Sequence, residues 1–237
     1  MRLALISDLH GNEVALDAVL ADARKVGYDQ LVCLGDVATL GPRPSEVLAK
    51  LRSLGCECLL GNHDEFMLEP TKVQEYSSIP ALTASIHTTR SALSSAEIDF
   101  IRSFRPTLTV GSVLLFHGTP RSNVEDLLST TPDAKVDEML AGHEARVFAG
   151  GHTHLPMVRQ HRGTLIVNGG SVGVPFREYA SHGPPVILAR AEYAIVDVDG
   201  GDVGVTLRCV EPDRRALRAQ AEAWDDPLAA SLRAAYG

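Results

Sequence analysis

The chain is short of basic residues, of cysteine and of long apolar stretches, and each shortage excludes something. Twenty-two Lys and Arg stand against 30 Asp and Glu, a formal charge of −8. That balance disfavours an extended nucleic-acid-binding face, which needs clustered cations. No stretch approaches the ~18 consecutive apolar residues of a membrane span. Asp8 interrupts the apolar start too early for a secretory signal core, so no membrane association and a cytoplasmic location are expected. The four cysteines are Cys33, Cys56, Cys58 and Cys209. Cys56 and Cys58 are too close for an easy disulfide and lack the two-residue gap of a zinc or redox pair, so all four read as reduced core or near-core thiols. There is no internal repeat, low-complexity tract or dividing linker.

What remains is an ordinary globular composition, 45% apolar and 22% charged over 237 residues. A chain of this size buries roughly 70% of its unfolded surface, and a single domain over residues 1–237 is expected. The first part alternates strand and helix patterns: a strand over Arg2–Ser7, a helix over Glu13–Val26 stopped by Gly27, a strand over Gln30–Leu34, a helix over Ser45–Leu54 and a strand over Glu57–Leu60. Alternation of this kind predicts parallel pairing through right-handed crossovers. The middle reads as helical, with Ser94 and Glu97 forming a capping box. From Pro106 the period shortens to that of strands: Thr107–Val110, Val113–Phe116, Arg146–Ala149, Met157–Gln160 and Thr164–Val167, with hairpin turns at Gly111-Ser112 and Arg162-Gly163. A strand pair over Ala194–Val198 and Val203–Cys209, a helix over Arg214–Ala223 and a helical turn near Leu232 complete the pattern.

Five polar motifs each follow an apolar run: Asp8-Leu9-His10, Gly35-Asp36, Gly61-Asn62-His63-Asp64, His117-Gly118 and Gly150-Gly151-His152-Thr153-His154. Asp8, Asp36 and Asn62 are each separated by about one strand-helix-strand unit, which returns all three to the carboxyl edge of a parallel sheet, where open α/β sheets bind ligands. Asp8 and His10, like His152 and His154, are two residues apart, so an extended backbone points both members of a pair the same way. Singly, each motif has a plain structural reading: Asp8 or Asn12 could cap the helix at Glu13, Asp36, Asn62 and Asp64 are ordinary turn residues beside glycine, and an isolated histidine is usually a hydrogen-bonded structural one. Five of the nine histidines in strand-end motifs with acids and an amide is not an arrangement that capping or turns require.

The candidate metal ligands are therefore Asp8, His10, Asp36, Asn62, His117, His152 and His154. They are too many for one tetrahedral ion. With one carboxylate bridging, they suit two ions about 3.5–4 Å apart. Oxygen and imidazole donors without thiolate favour divalent transition metals, Mn²⁺ first and Fe, Zn²⁺ or Ni²⁺ as alternatives, over Mg²⁺ or Ca²⁺. A net positive centre of this kind suits the phosphoryl group of a small phosphate-ester substrate.

The order D-x-H, G-D, G-N-H, H and G-H-x-H resembles the calcineurin-like metallophosphoesterases over about residues 1–180, in particular their small bacterial and archaeal branch. The resemblance implies a four-layer α/β/β/α sandwich of two mainly mixed β-sheets flanked by helices. It implies one ion on Asp8, His10 and His154, another on Asn62, His117 and His152, and Asp36 as the bridge. It further implies hydrolysis of phosphodiester bonds, with phosphomonoesters as a second substrate class, by a metal-bridging hydroxide. His63 is then the leaving-group acid or hydrogen-bond donor, with Asp64 tuning it. Thr39 and Leu40 stand where protein Ser/Thr phosphatases carry the dyad aspartate and the phosphate-gripping arginine, which argues against a phosphoprotein phosphatase. A catalytically silent scaffold is the competing reading, although such relatives usually lose histidine ligands. Arg43, Arg121 and Arg177 read as surface charges or as contacts to a second phosphate, and Asn168–Gly173 as a loop that could line the pocket. His87, His143, His161 and His182 have no motif around them and read as structural or exposed.

Overall fold

The computed structural model describes residues 1–180 and 185–237, so the reading of His182 falls outside the described residues. The first sheet begins with β1 (Arg2–Ile6), α1 (Glu13–Val26), β2 (Gln30–Cys33), α2 (Pro44–Ser53) and β3 (Glu57–Cys58). Leu3 pairs with Gln30 and Val32 with Glu57 in parallel register, as the alternation predicts. A helical stretch follows: α3 (Asn62–Leu68), a 3₁₀ turn (Pro70–Lys72), α4 (Val73–Tyr76), α5 (Pro80–Ala92) and α6 (Ser95–Arg102). The Ser94 hydroxyl accepts from Glu97 N, while the Glu97 carboxylate accepts from Ser94 N at 2.7 Å.

The second sheet is made of β4 (Thr107–Val110), β5 (Val113–Phe116), β6 (Val147–Gly150), β7 (Met157–His161) and β8 (Thr164–Asn168), in the order β4-β5-β6-β8-β7. Its two hairpins, β4–β5 and β7–β8, turn where the sequence places them. Between β5 and β6 lies α7 (Asp133–Leu140), a helix absent from the sequence reading. Its signal was the i, i+3, i+4 spacing of Val136, Met139 and Leu140, all three buried.

β9 (Ala191–Asp199) and β10 (Asp202–Val210) form the long terminal hairpin, followed by α8 (Arg214–Glu222) and α9 (Ala229–Tyr236). β9 inserts antiparallel beside β1, giving the order β10-β9-β1-β2-β3. The hairpin thus belongs to the same sheet as the Asp8 strand. Cys209 corrects the thiol reading: it is exposed on the edge strand β10, whereas Cys33, Cys56 and Cys58 are buried.

Period-2 alternation explains the layers. Leu3 and Leu5 of β1 point into the inter-sheet core with Val32, Leu115, Val147 and Val167. Ala4 and Ile6 point the other way, against Leu16, Val19 and Leu20 of α1. On the far side, Leu114, Phe116 and Phe148 pack on Val136 and Met139 of α7. The result is the expected α/β/β/α sandwich, two mixed sheets with helices outside. Among the described residues no helix is long and apolar enough to cross a membrane.

Candidate metal centre

The strands β1, β2, β3, β5 and β6 each lead directly or within a few residues into a polar motif, and these ends converge. The loop after β1 is clamped to the loop after β2 by Asp8 N donating to Gly35 O at 2.9 Å and His10 N to Asp36 O at 3.0 Å. The loops of the two sheets meet where His152 N donates to Asp8 Oδ2 at 3.1 Å. Close approach demands glycine at Gly61, where any Cβ would collide with Asp36 Oδ1.

The extended-backbone expectation for the two-residue spacings is corrected. Asp8 (φ 54°), His10 (φ 45°), His152 (φ 69°) and His154 (φ 58°) all lie in the left-handed region, as does Asp36 (φ 57°). Of the seven described non-glycine residues with positive φ, five are candidate ligands. Each such conformation costs of order 1–3 kcal/mol and persists only where the surroundings over-determine it. The backbone at these spacings is wound left-handed, so strand alternation does not set the directions of the side chains.

All the predicted ligands come together and are buried. Asp8, His10, Asp36 and His154 form one group and Asp36, His117 and His152 a second, with ligand atoms in each within 4.8 Å of one another. Asp36 belongs to both. Its Oδ1 accepts from His63 N at 2.9 Å, while Oδ2 lies 3.8 Å from His10 Nε2 and 3.5 Å from His117 Nε2. One carboxylate oxygen therefore faces both groups. Asn62 Oδ1 lies 3.2 Å from His117 Nε2, which adds Asn62 to the second.

The imidazole tautomers can be read from their outer partners. Nδ1–H donates to Thr39 O from His10 (3.2 Å), to Leu34 O from His117 (2.8 Å) and to Val174 O from His154 (2.7 Å). In a neutral ring this leaves Nε2 as a bare lone pair facing inward. His10 Nε2 and His154 Nε2 are then 3.1 Å apart, and Asp8 Oδ1, 3.3 Å from His154 Nε2, is buried without a hydrogen-bond partner. Lone pairs aimed at one another and at carboxylates repel unless positive charge lies between them. His152 is turned about: its Nε2 lies 3.4 Å from Asp126 Oδ1, and Asp126 Oδ2 accepts from the Tyr179 hydroxyl at 2.6 Å.

The electrostatics tell the same story. Burial alone would raise the Asp8 carboxyl, yet His154 holds it near 2. Burial likewise opposes ionisation of Asp36, and His117 and His63 hold it well below the usual range. Burial lowers His117, but Asp36 and Asp8 push it up to about 9. His10 falls to about 3 through burial and the neighbouring His154. Protons on a few rings thus do what divalent cations would do better, and the donor set fits a pair of such ions.

Around this centre lie residues the sequence assigned differently or not at all. Asp64 does not hydrogen-bond the His63 side chain. Its oxygens accept from Asp36 N (2.7 Å), Val37 N (2.9 Å) and Gly61 N (3.0 Å), so it ties two motif loops together. The partner of His63 Nδ1 is Thr39 Oγ1 at 2.9 Å. The Asn168–Gly173 loop is buried behind the site: Asn168 Nδ2 donates to Gly151 O at 2.6 Å and Ser171 Oγ to Asp8 O at 2.8 Å. Phe176 stacks on His154 with centroids 4.2 Å apart. Asp126, Phe176 and Tyr76 sit in no motif, so only their neighbours in space mark them.

Arg43, Arg121 and Arg177 are exposed and paired with Glu46 (3.0 Å), Glu125 (2.9 Å) and Glu178 (2.7 Å). His87 and His143 are exposed, and His161 is buried with its Nε2 2.8 Å from Asp137 Oδ1.

The calcineurin-like phosphoesterase superfamily domain matches residues 1–201, and the chain belongs to that superfamily. A metallophosphoesterase from Sphaerobacter thermophilus is similar in structure over 100% of both chains, with 27% identity and a TM-score of 0.76. A hypothetical protein from Pyrococcus horikoshii has the same fold over 98% of this chain and 97% of its own, with 20% identity and a TM-score of 0.78. An uncharacterised protein of Methanocaldococcus jannaschii is 29% identical over 174 residues, 72% of this chain and 69% of the relative.

Proposed function

We propose that the chain is a two-metal phosphoesterase acting on the phosphodiesters, and secondarily the phosphomonoesters, of small or nucleotide-like alcohols in the cytoplasm. The supporting observation is Asp36 Oδ2, one oxygen facing both His10 and His117 between two complete donor groups. Asp8, His10 and His154 would hold one ion and Asn62, His117 and His152 the other, with Asp36 shared between them. Mn²⁺ is the first candidate metal, with Fe, Zn²⁺ and Ni²⁺ after it, because the donors are oxygen and imidazole. The chemistry such ions would supply when bound is water ionised near neutral pH and neutralisation of charge on the phosphoryl oxygens.

The chain's own groups do the rest. Burial holds the His63 pKa below its ordinary value, so the ring is neutral at pH 7. Thr39 Oγ1 lies 2.9 Å from Nδ1; with the hydroxyl as donor, Nε2–H is the proton left to hydrogen-bond the departing alkoxide. Asp64 keeps the Asp36 and Gly61 loops in register through their amides.

Elemental analysis of protein purified with Mn²⁺ supplementation, joined to a panel of aryl phosphate mono- and diesters, tests this. About two ions per chain and chelator-sensitive diester hydrolysis are expected of a two-metal site. Failure to take up transition ions overturns the reading. Uptake without hydrolysis of any ester overturns the enzyme and favours a scaffold.

A further inference from the structure

We propose that Tyr76 is a stacking platform at the mouth of the metal centre, selecting phosphate esters whose organic group carries a planar aryl ring or nucleobase. The proposal deepens the phosphoesterase reading and rests on it.

Tyr76 ends α4 and is 44% exposed, although Val73, one turn earlier, is fully buried. Its ring lies 6.3 Å from that of His63 and 6.4 Å from that of His152, and is backed by buried Phe66 at 5.6 Å. Phe66 in turn meets His63 edge-on at 5.2 Å. Tyr76 therefore stands beside both the proposed leaving-group donor and a proposed ligand of the second ion, packed against Phe66 and still partly exposed. A ring already packed on one side loses little freedom when another ring stacks on it. A second exposed phenol, Tyr179, is held at 2.6 Å by Asp126, the acid beside His152.

Among the described residues, the three arginines singled out by the sequence do not offer a free charge to the organic group. Arg43, Arg121 and Arg177, the basic side chains just beyond the motif loops, are each engaged by a glutamate one to four residues away. Asp126 adds an acid beside His152. With the phosphoryl group on the metals, selectivity for the remainder of the substrate falls to the rings.

The test uses the full-length protein loaded with Mn²⁺ and two ligands that cannot be hydrolysed, benzylphosphonate and cyclohexylmethylphosphonate, which share a charge and differ in the ring. Calorimetry should show the benzyl compound bound about fivefold tighter, the range of an aromatic pair. Tyr76→Phe should keep that ratio, and Tyr76→Leu should bring it close to one with metal content per chain unaltered. A wild-type ratio near one, a ratio that survives Tyr76→Leu, or no binding of either compound overturns the platform. Diester turnover with no ring preference strikes the platform alone. Ring preference without turnover strikes the phosphoesterase reading alone.

Discussion

Thr39 Oγ1 lies 2.9 Å from His63 Nδ1, a contact that engages one ring nitrogen and leaves Nε2 as the one available to a substrate. The threonine is fully buried, so its hydroxyl is held there without competition from bulk water. Thr39→Val removes the partner while nearly keeping the volume, and the ring is then free to rotate or change tautomer. We expect kcat to fall about tenfold, a share of what general acid–base groups supply. The fall should be greater for an alkyl leaving group than for p-nitrophenolate, which needs little protonation. Steady-state kinetics on the two esters at equal metal content check it.

His63→Ala should reduce kcat for alkyl diesters by roughly 10²–10⁴ and leave both ions in place. The hydrogen bond of His63 to the centre is its backbone N–H to Asp36 Oδ1, which alanine retains. Metal analysis beside turnover decides; parallel loss of ions and activity would make His63 a ligand instead.

Asp36→Asn removes the charge that both donor groups share. Metal content should drop to one ion or fewer per chain, with hydrolysis lost. In the wild type, chelation should destabilise the fold, because each ion that binds only the native state adds about 2.7 kcal/mol at a hundredfold excess over Kd. For a domain of this size that amounts to a fall of about 5–10 °C in Tm for each ion stripped, readable by scanning calorimetry.

Asp64→Ala should act on stability first. Three buried N–H groups, of Asp36, Val37 and Gly61, lose their acceptor. Each unsatisfied group costs about 1–3 kcal/mol, so a loss of at least ~3 kcal/mol is expected, and Asp64→Asn, which keeps one acceptor oxygen, should lose less. Urea unfolding of the metal-free forms separates this from metal effects. An unchanged midpoint would return Asp64 to a purely catalytic role.

Asn12→Ala tests the tie between the C-terminus and the site. Asn12 Oδ1 caps α1 through Ala15 N (3.1 Å) and accepts from Gln220 Nε2 (2.6 Å), while its amide donates to Gly173 O (2.9 Å) and Tyr236 Oη (3.0 Å). Gly173 N in turn donates to Asp8 O at 2.9 Å. A cap alone is worth about 0.5–2 kcal/mol, and here buried partners in α8 and α9 are stranded as well. We expect a loss above the cap range by urea unfolding, and weaker metal binding at the Asp8 group by titration.

The parts of the fold that could be read directly are those where a local period carries the signal. The α1 bounds follow from the 3.6-residue spacing of Leu16, Val19, Leu20 and Ala23 and from Gly27 beyond. The buried runs of β1, β2 and β5 follow from their apolar content. What escaped is non-local. β9 looks like half of a terminal hairpin, yet it pairs with β1, because a strand's neighbour is chosen by the faces left to bury and not by its own residues.

The candidate ligands were legible because chemistry restricts which side chains can share cations, and their order along the chain is itself a pattern. Their geometry was not. Left-handed backbone at Asp8, His10, Asp36, His152 and His154 is a state these residues seldom adopt alone, and it is imposed by hydrogen bonds between loops far apart in sequence. The same holds for Thr39 on His63, Asp64 on three amides and Tyr76 beside His152. The amino-acid sequence by itself determined which atoms are available to bind and react. Only the tertiary structure decided how they are aimed, because the strain of aiming them is sustained by contacts that exist once both sheets have closed.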